Sequence, residues 1–228
     1  MVTTGRCLDD DGQPIEGTGF EVDVEGPVAE RLRQRTTPLL SNPVTEDWTV
    51  GLETATETGG EYETGLGIFR ANGEGPPPHY HVGYEESFEV IRGEFVVEME
   101  GESHHLSRGD EISVPPETAH SLEAVGDSIG VALTTVRPAA QTFTVVSTQF
   151  GLAHDGKLDE DGSPGFFQGM AMAAALADDT VFTSPPPAVT KPLAKVVAPI
   201  ANALGYEATY SKYERDAFWE RNVEQPSL

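Results

Sequence analysis

From residue 46 to residue 137 the sequence never sustains a helical period. It breaks instead into short segments rich in Thr, Tyr, Val and Ile, most of them closed by Gly or Asp. Glu94–Glu100 is the cleanest. Phe95, Val97 and Met99 fall on one side of an extended chain, and Glu94, Val96, Glu98 and Glu100 on the other. That is the period of two expected when one face of a strand is buried. Glu46–Thr56, Tyr62–Arg70, Glu111–Val114, Ala119–Ala124 and Ile129–Val136 read as further strands. Short strands in succession, with no crossover helix among them, restrict this stretch to a sandwich or barrel.

The flanks differ. Residues 1–45 read as a polar N-terminal arm with one strand, Thr18–Val24, and a solvated basic patch, Arg31, Arg33 and Arg35. Residues 138–228 read as a helical C-terminal extension. Phe143, Val146, Phe150 and Ala153 recur at helical spacing. Ser163-Pro164 resembles an N-cap and first turn ahead of the alanine-rich run Phe166–Ala177. After a stiff connector from Ser184 to Pro187, Val189, Leu193, Val196, Val197, Ile200 and Leu204 form an amphipathic stripe, with a kink expected at Pro199 and a stop at Gly205. No internal repeat is evident.

Parity also selects the chemistry-bearing residues. In His79-Tyr80-His81 the two imidazoles point to the same side of a strand. After a loop, Val82–Glu85, the alternation of Glu86, Phe88 and Val90 places Glu86, and not Glu85, on the apolar face. His120 shares a face with Leu122 and Ala124. Three imidazoles and one carboxylate therefore converge. A buried carboxylate without a compensating cation is costly, so a metal ion is the economical explanation. His104 and His105 are neighbours on a polar edge and His154 lies in an Asp-Gly loop region; all three read as surface residues.

On these residues the chain resembles the cupins. Their first motif is matched by Gly73, His79, His81, Glu86 and Gly93, and their second by Gly109, Pro115 and His120. Two positions depart: Glu117 stands where the family has Gly, and Ala124 where it has Asn. The resemblance covers roughly residues 60–125. It implies a cupin-type antiparallel β-barrel (a jelly roll) with turns at Gly93 and Arg108-Gly109-Asp110. It also implies one divalent transition metal ion (Fe, Mn, Ni, Cu or Zn) on His79, His81, Glu86 and His120. By likeness to quercetinase-like members it implies a dioxygenase acting on a small enolic or phenolic substrate, with Glu86 as ligand and general base. An isomerase or lyase, or a non-catalytic ligand-binding cupin, are the alternatives within the same family. Tyr84, Phe88, Phe95 and Met99 are the candidate pocket wall, although Tyr84 packing on its own turn is an equal reading. A homodimer is a further expectation of the resemblance.

Charge narrows the partners. The chain carries 14 Lys and Arg against 38 Asp and Glu, a formal net charge of -24. Such a surface repels nucleic acid and anionic membranes. It resembles the proteins of salt-loving organisms, and a requirement for molar salt follows as an expectation. With Cys7 the sole cysteine, no internal disulfide forms. No apolar signal segment opens the sequence, and the most apolar stretch, Ala188–Leu204, is broken by Lys and Pro. A cytoplasmic location is the expectation.

Overall fold

The computed structural model describes all 228 residues, Met1–Leu228. The chain opens with β1 (Val2–Thr4), β2 (Phe20–Val22), α1 (Pro27–Arg33) and β3 (Leu40–Asn42). The barrel strands follow: β4 (Asp47–Glu53), β5 (Glu63–Phe69), β6 (His79–His81), β7 (Glu85–Arg92), β8 (Glu94–Met99), β9 (Glu102–Ser107), β10 (Glu111–Val114), β11 (His120–Val125) and β12 (Gly130–Arg137). The remainder holds α2 (Thr142–His154), α3 (Phe166–Ala175), β13 (Thr180–Phe182), α4 (Pro187–Ala203) and α5 (Asp216–Asn222).

Two antiparallel sheets face each other. One has the order β10-β7-β12-β5-β4-β3, the other β13-β6-β11-β8-β9. Non-sequential neighbours make up most of each sheet (β10-β7-β12-β5 and β13-β6-β11-β8), and the sequential pairs β5-β4-β3 and β8-β9 lie at one edge, as in a jelly roll. The turn glycines behave as the motif implies: Gly93 joins β7 to β8 at φ 80° and Gly109 precedes β10 at φ 90°, a region open to glycine at little cost. At the departure from the motif, Glu117 itself adopts φ 63°. The backbone keeps the left-handed turn even though the residue has a Cβ.

Alternation sorts the core into two clusters. Phe88, Val90, Phe95, Val97, Leu106, Val114, Leu122, Ala124 and Ala132 fill the space between the sheets. A larger cluster lies on the six-stranded sheet's other face. There Val50, Leu66, Ile68 and Val131 meet Phe20, Val22, Val28, Ala29 and Leu32 from the N-terminus, and Leu152, Tyr213, Trp219 and Val223 from the C-terminus. Both faces of that sheet are thus buried.

The first 45 residues therefore do not form a solvated arm. α1 places Val28, Ala29 and Leu32 in the core, Arg33 donates to the Val24 carbonyl and Arg35 to the carbonyls of Leu32 and Pro226. At 7 residues the helix is too short for its period to stand out beside three arginines. The two ends of the chain lock together. Arg6 grips Glu224 with two hydrogen bonds of 2.8 and 2.7 Å, and Gln225 exchanges hydrogen bonds with the backbone of Leu39.

The C-terminal helices form where expected, with two corrections and one point that the sequence had left open. Gly165, not Ser163, precedes the first turn of α3. Ser163 lies instead in a tight turn, Leu158-Asp-Glu-Asp-Gly-Ser-Pro164, with the same backbone hydrogen bonds as Leu8-Asp-Asp-Asp-Gly-Gln-Pro14; this is a short repeated turn that the sequence reading passed over. Third, α4 buries its small residues, Ala194, Ala198 and Ala201, while Val189, Leu193, Val196, Ile200 and Leu204 remain 41–69% exposed. α3 presents an alanine-rich surface to α4, and close approach of two helices selects small side chains at the contact. The larger apolar stripe is left facing outward. At Gly151 in α2, a Cβ would come within 2.1 Å of the Tyr213 ring, so the close seat of Tyr213 depends on a glycine there. No helix is long and apolar enough to cross a membrane.

Candidate metal centre

β6 supplies His79 and His81, and β11 supplies His120, whose Cα pairs in register with that of His79. All three belong to the five-stranded sheet. Glu86, near the start of β7, reaches them from the six-stranded sheet. The cluster therefore bridges the two sheets. The parity argument holds at each position: Glu86 is buried and Glu85 exposed. His79, His81, Glu86 and His120 keep only 7, 4, 6 and 2% of their surface. One donor atom from each lies within 4.8 Å of all the others.

The hydrogen bonds set the tautomers. Nδ1 of His79 is 2.8 Å from the Pro77 carbonyl, and Nδ1 of His120 is 3.0 Å from the Thr118 carbonyl. A carbonyl only accepts, so Nδ1 carries a proton in both rings, and in the neutral form of each ring Nε2 keeps its lone pair. The Nε2 atoms of His81 and His120 each lie 2.9 Å from the same Glu86 oxygen, Oε2. A lone pair does not face a carboxylate without a cation between them, either a proton or a metal. Burial pushes the Glu86 carboxyl up, but hydrogen bonds from His120 and His81 outweigh this and hold it well below the usual range. Burial pulls His120 down, but the Glu86 carboxylate lifts it above its ordinary value, whereas burial leaves His79 at about 4 despite Glu86.

This donor set fits a transition metal. Adjacent donors on an octahedral ion with bonds of about 2.1 Å stand about 3.0 Å apart, close to the 2.9 Å separations here. The widest separation is at most 4.8 Å, within reach of one ion after a small inward shift of the side chains.

Around the cluster, Tyr84 neither packs on its own turn nor faces solvent. Its ring stacks on His81 with centroids 4.3 Å apart, and its hydroxyl lies 3.1 Å from Asp179 Oδ1 and 3.0 Å from Thr180 Oγ1. Burial pushes its hydroxyl pKa well up. Phe88 stands 6.1 Å from the His120 ring. Phe95 lies deeper, edge-on to Phe69 in the barrel core, and Met99 is partly buried opposite His120 in the β8–β11 pairing. A surface hollow of about 380 Å³ borders Tyr84, with Gly83, Pro138, Gln141, Asp178 and Asp179 in its wall.

The sequence reading missed Asp179, Thr180 and Phe182. Thr180 and Phe182 belong to β13, and Asp179 immediately precedes it; β13 extends the five-stranded sheet beside β6, pairing Thr180 with His81 and Phe182 with His79. The available signal was the alternation Thr-Val-Phe just ahead of the proline run, but nothing local reveals which edge such a short strand joins. On β9, His105 is exposed, whereas His104, on the same face as Leu106, is partly buried, so the surface reading holds for His105 and not for His104. Nor does it hold for His154, which is half-buried, 2.9 Å from the Ser41 hydroxyl, with its ring edge-on to Phe218 and Trp219. Burial lowers its pKa, as suits a neutral packing residue.

Fold and site together define a jelly-roll barrel closed around a buried His/Glu cluster. Residues 68–136 match the family described as Cupin domain, and the chain carries a domain of the cupin superfamily. Over 53 residues it is 39% identical to the oxidoreductase macE of Penicillium terrestre, a match covering 23% of this chain and 20% of that protein. It thus spans about a fifth of that curated relative's length. Similar solved structures include KdgF from Halomonas sp. (23% identity, 42% of this chain and 83% of that one, TM-score 0.39). An RmlC-like cupin from Shewanella frigidimarina is also similar (22% identity, 47% and 89%, TM-score 0.40). So is a predicted oxalate decarboxylase from Thermotoga maritima (19% identity, 47% and 96%, TM-score 0.42).

Proposed function

We propose that the chain is a metal-dependent cupin oxidoreductase of the dioxygenase type, acting on a small enolic or phenolic substrate. The observation that carries the reading is the convergence of His79, His81, Glu86 and His120, with Nε2 of His81 and of His120 each 2.9 Å from one Glu86 oxygen. A divalent ion held there, Fe, Mn, Ni, Cu or Zn, supplies Lewis-acid or redox chemistry. Glu86 is the one group in the cluster able to accept a substrate proton at a carboxylate oxygen while staying within reach of the ion. Tyr84, shared between the surface hollow and the ring of His81, marks the approach for the substrate, and Phe88 and Met99 offer it an apolar wall, with Phe95 behind them. The oxidoreductase named among the relatives agrees with this reading.

The test is oxygen uptake by protein loaded separately with Fe(II), Mn(II) and Ni(II), over a panel of enols, catechols and flavonoids. Substrate-dependent uptake that disappears in Glu86→Gln and His120→Ala supports the proposal; no uptake with any metal across the panel refutes it.

The near-complete burial of all four side chains favours a second reading, in which the ion fixes the barrel and no reaction follows. In that case chelation lowers the melting temperature sharply and no substrate on the panel is turned over.

A further inference from the structure

The three histidines do not have equivalent support. The Nδ1 protons of His79 and His120 are fixed by backbone carbonyls, which have no proton to give. Nδ1 of His81 faces instead a hydroxyl, Thr180 Oγ1, at 3.1 Å. A hydroxyl can accept from Nδ1–H or donate to a bare Nδ1, so it does not by itself choose a tautomer. Its single proton is claimed elsewhere: Thr180 Oγ1 lies 2.9 Å from Asp179 Oδ1, and an ionised carboxylate only accepts. With its proton committed to Asp179, Thr180 is left as an acceptor. His81 then holds its proton on Nδ1 and presents the Nε2 lone pair to the centre, matching the other two rings. Tyr84 braces the same group, stacked on His81 with its hydroxyl on Asp179 and Thr180. β13 holds both residues in place: Thr180 pairs with His81, and the amide of Val82 donates to the Asp179 carbonyl at 2.8 Å.

We propose that Asp179 and Thr180, carried by the C-terminal extension, are positioning residues that fix the ligating tautomer of His81 and so complete the centre. The inference rests on the metal-binding reading above. A carboxylate orienting a histidine ligand through a hydroxyl is a two-step version of a known arrangement, in which loss of the outer partner weakens metal binding by about 10- to 100-fold. The barrel strands alone would then make a weaker site than the whole chain.

The experiment titrates Zn(II) into the metal-free full chain against a chromophoric chelator, and records the ligand-field absorption of the Co(II)-loaded protein. Thr180→Val keeps the shape and removes the hydroxyl; it is expected to weaken Zn(II) binding about 10- to 100-fold and to alter the Co(II) spectrum. Thr180→Ser restores both, and Asp179→Ala weakens binding as Thr180→Val does. Melting curves of the metal-free proteins show whether each variant is folded. If wild type binds Zn(II) and both Thr180→Val and Asp179→Ala bind within about twofold of it with unchanged Co(II) spectra, the positioning role is overturned while the metal centre stands. Failure of Thr180→Ser to restore binding also overturns it, because the effect would then lie in packing. If wild type itself binds neither ion, the metal reading fails first.

Discussion

Asp47 opens β4 opposite Phe69 of β5, 8% exposed, and its Oδ1 has no hydrogen-bond partner. Burial pushes its carboxyl up to about 7 from an ordinary 3.8, and the nearby Thr45 hydroxyl and Arg70 charge offset this only in part. The folded chain therefore keeps a proton on Asp47 at pH values where the unfolded chain has lost it. Stability falls as pH rises wherever the native state binds more protons. The contribution is complete below about 3.8 and lost as pH climbs to about 7. At about 1.4 kcal/mol per pH unit, the window amounts to roughly 4 kcal/mol, of which about 3 falls between pH 5 and 7. Asp47→Asn keeps the shape and cannot ionise. Urea unfolding of wild type and variant at pH 5, 6, 7 and 8 should show the variant's relative stability rising by about 3 kcal/mol up to pH 7 and then levelling. A stability difference that stays constant across that range would refute the assignment.

Three other outcomes follow from the fold. Glu117 holds φ 63° where the cupin motif has glycine, so Glu117→Gly should raise stability by about 1 kcal/mol, the left-handed strain relieved exceeding glycine's entropy loss; a loss of stability in thermal melts would contradict this. The net charge of -24 should make the melting temperature climb from dilute buffer to molar KCl, where the screening length shrinks to about 3 Å, and a flat response would count against surface repulsion. Finally, residues 180–206 carry Lys191 and Lys195 and no acidic residue. There the outward apolar face of α4 is the place where a second copy meets least repulsion. A homodimer through that face should be seen by light scattering in wild type and be reduced to monomer by Val196→Glu with Ile200→Glu; a monomeric wild type would refute it.

The barrel and its ligands were legible because each depends on a local rule. Strand period fixes which side a residue faces, so His79, His81, Glu86 and His120 could be placed inward before any tertiary contact was known. Gly93 and Gly109 marked turns for an equally local reason, the need for positive φ. α1 was hidden because seven residues hold too few periods to read, and its arginines suggested solvent. The stripe on α4 was legible as an apolar face, but what that face meets was not. A helical wheel gives the face, but whether that face meets a partner depends on what α3 offers on the opposite side.

By itself, then, the sequence determined a sandwich or barrel of short strands with four convergent donor side chains, since alternation along a strand is a property of the chain alone; the jelly-roll form was what the likeness to the cupins implied. Only the tertiary structure decided that the larger core lies outside the barrel, where the two ends of the chain clasp through Arg6 and Glu224. It alone brought Asp179 and Thr180 about a hundred residues along the chain to the back of His81. Pairing between distant edges is set by the packing of the whole molecule, and no local period encodes it.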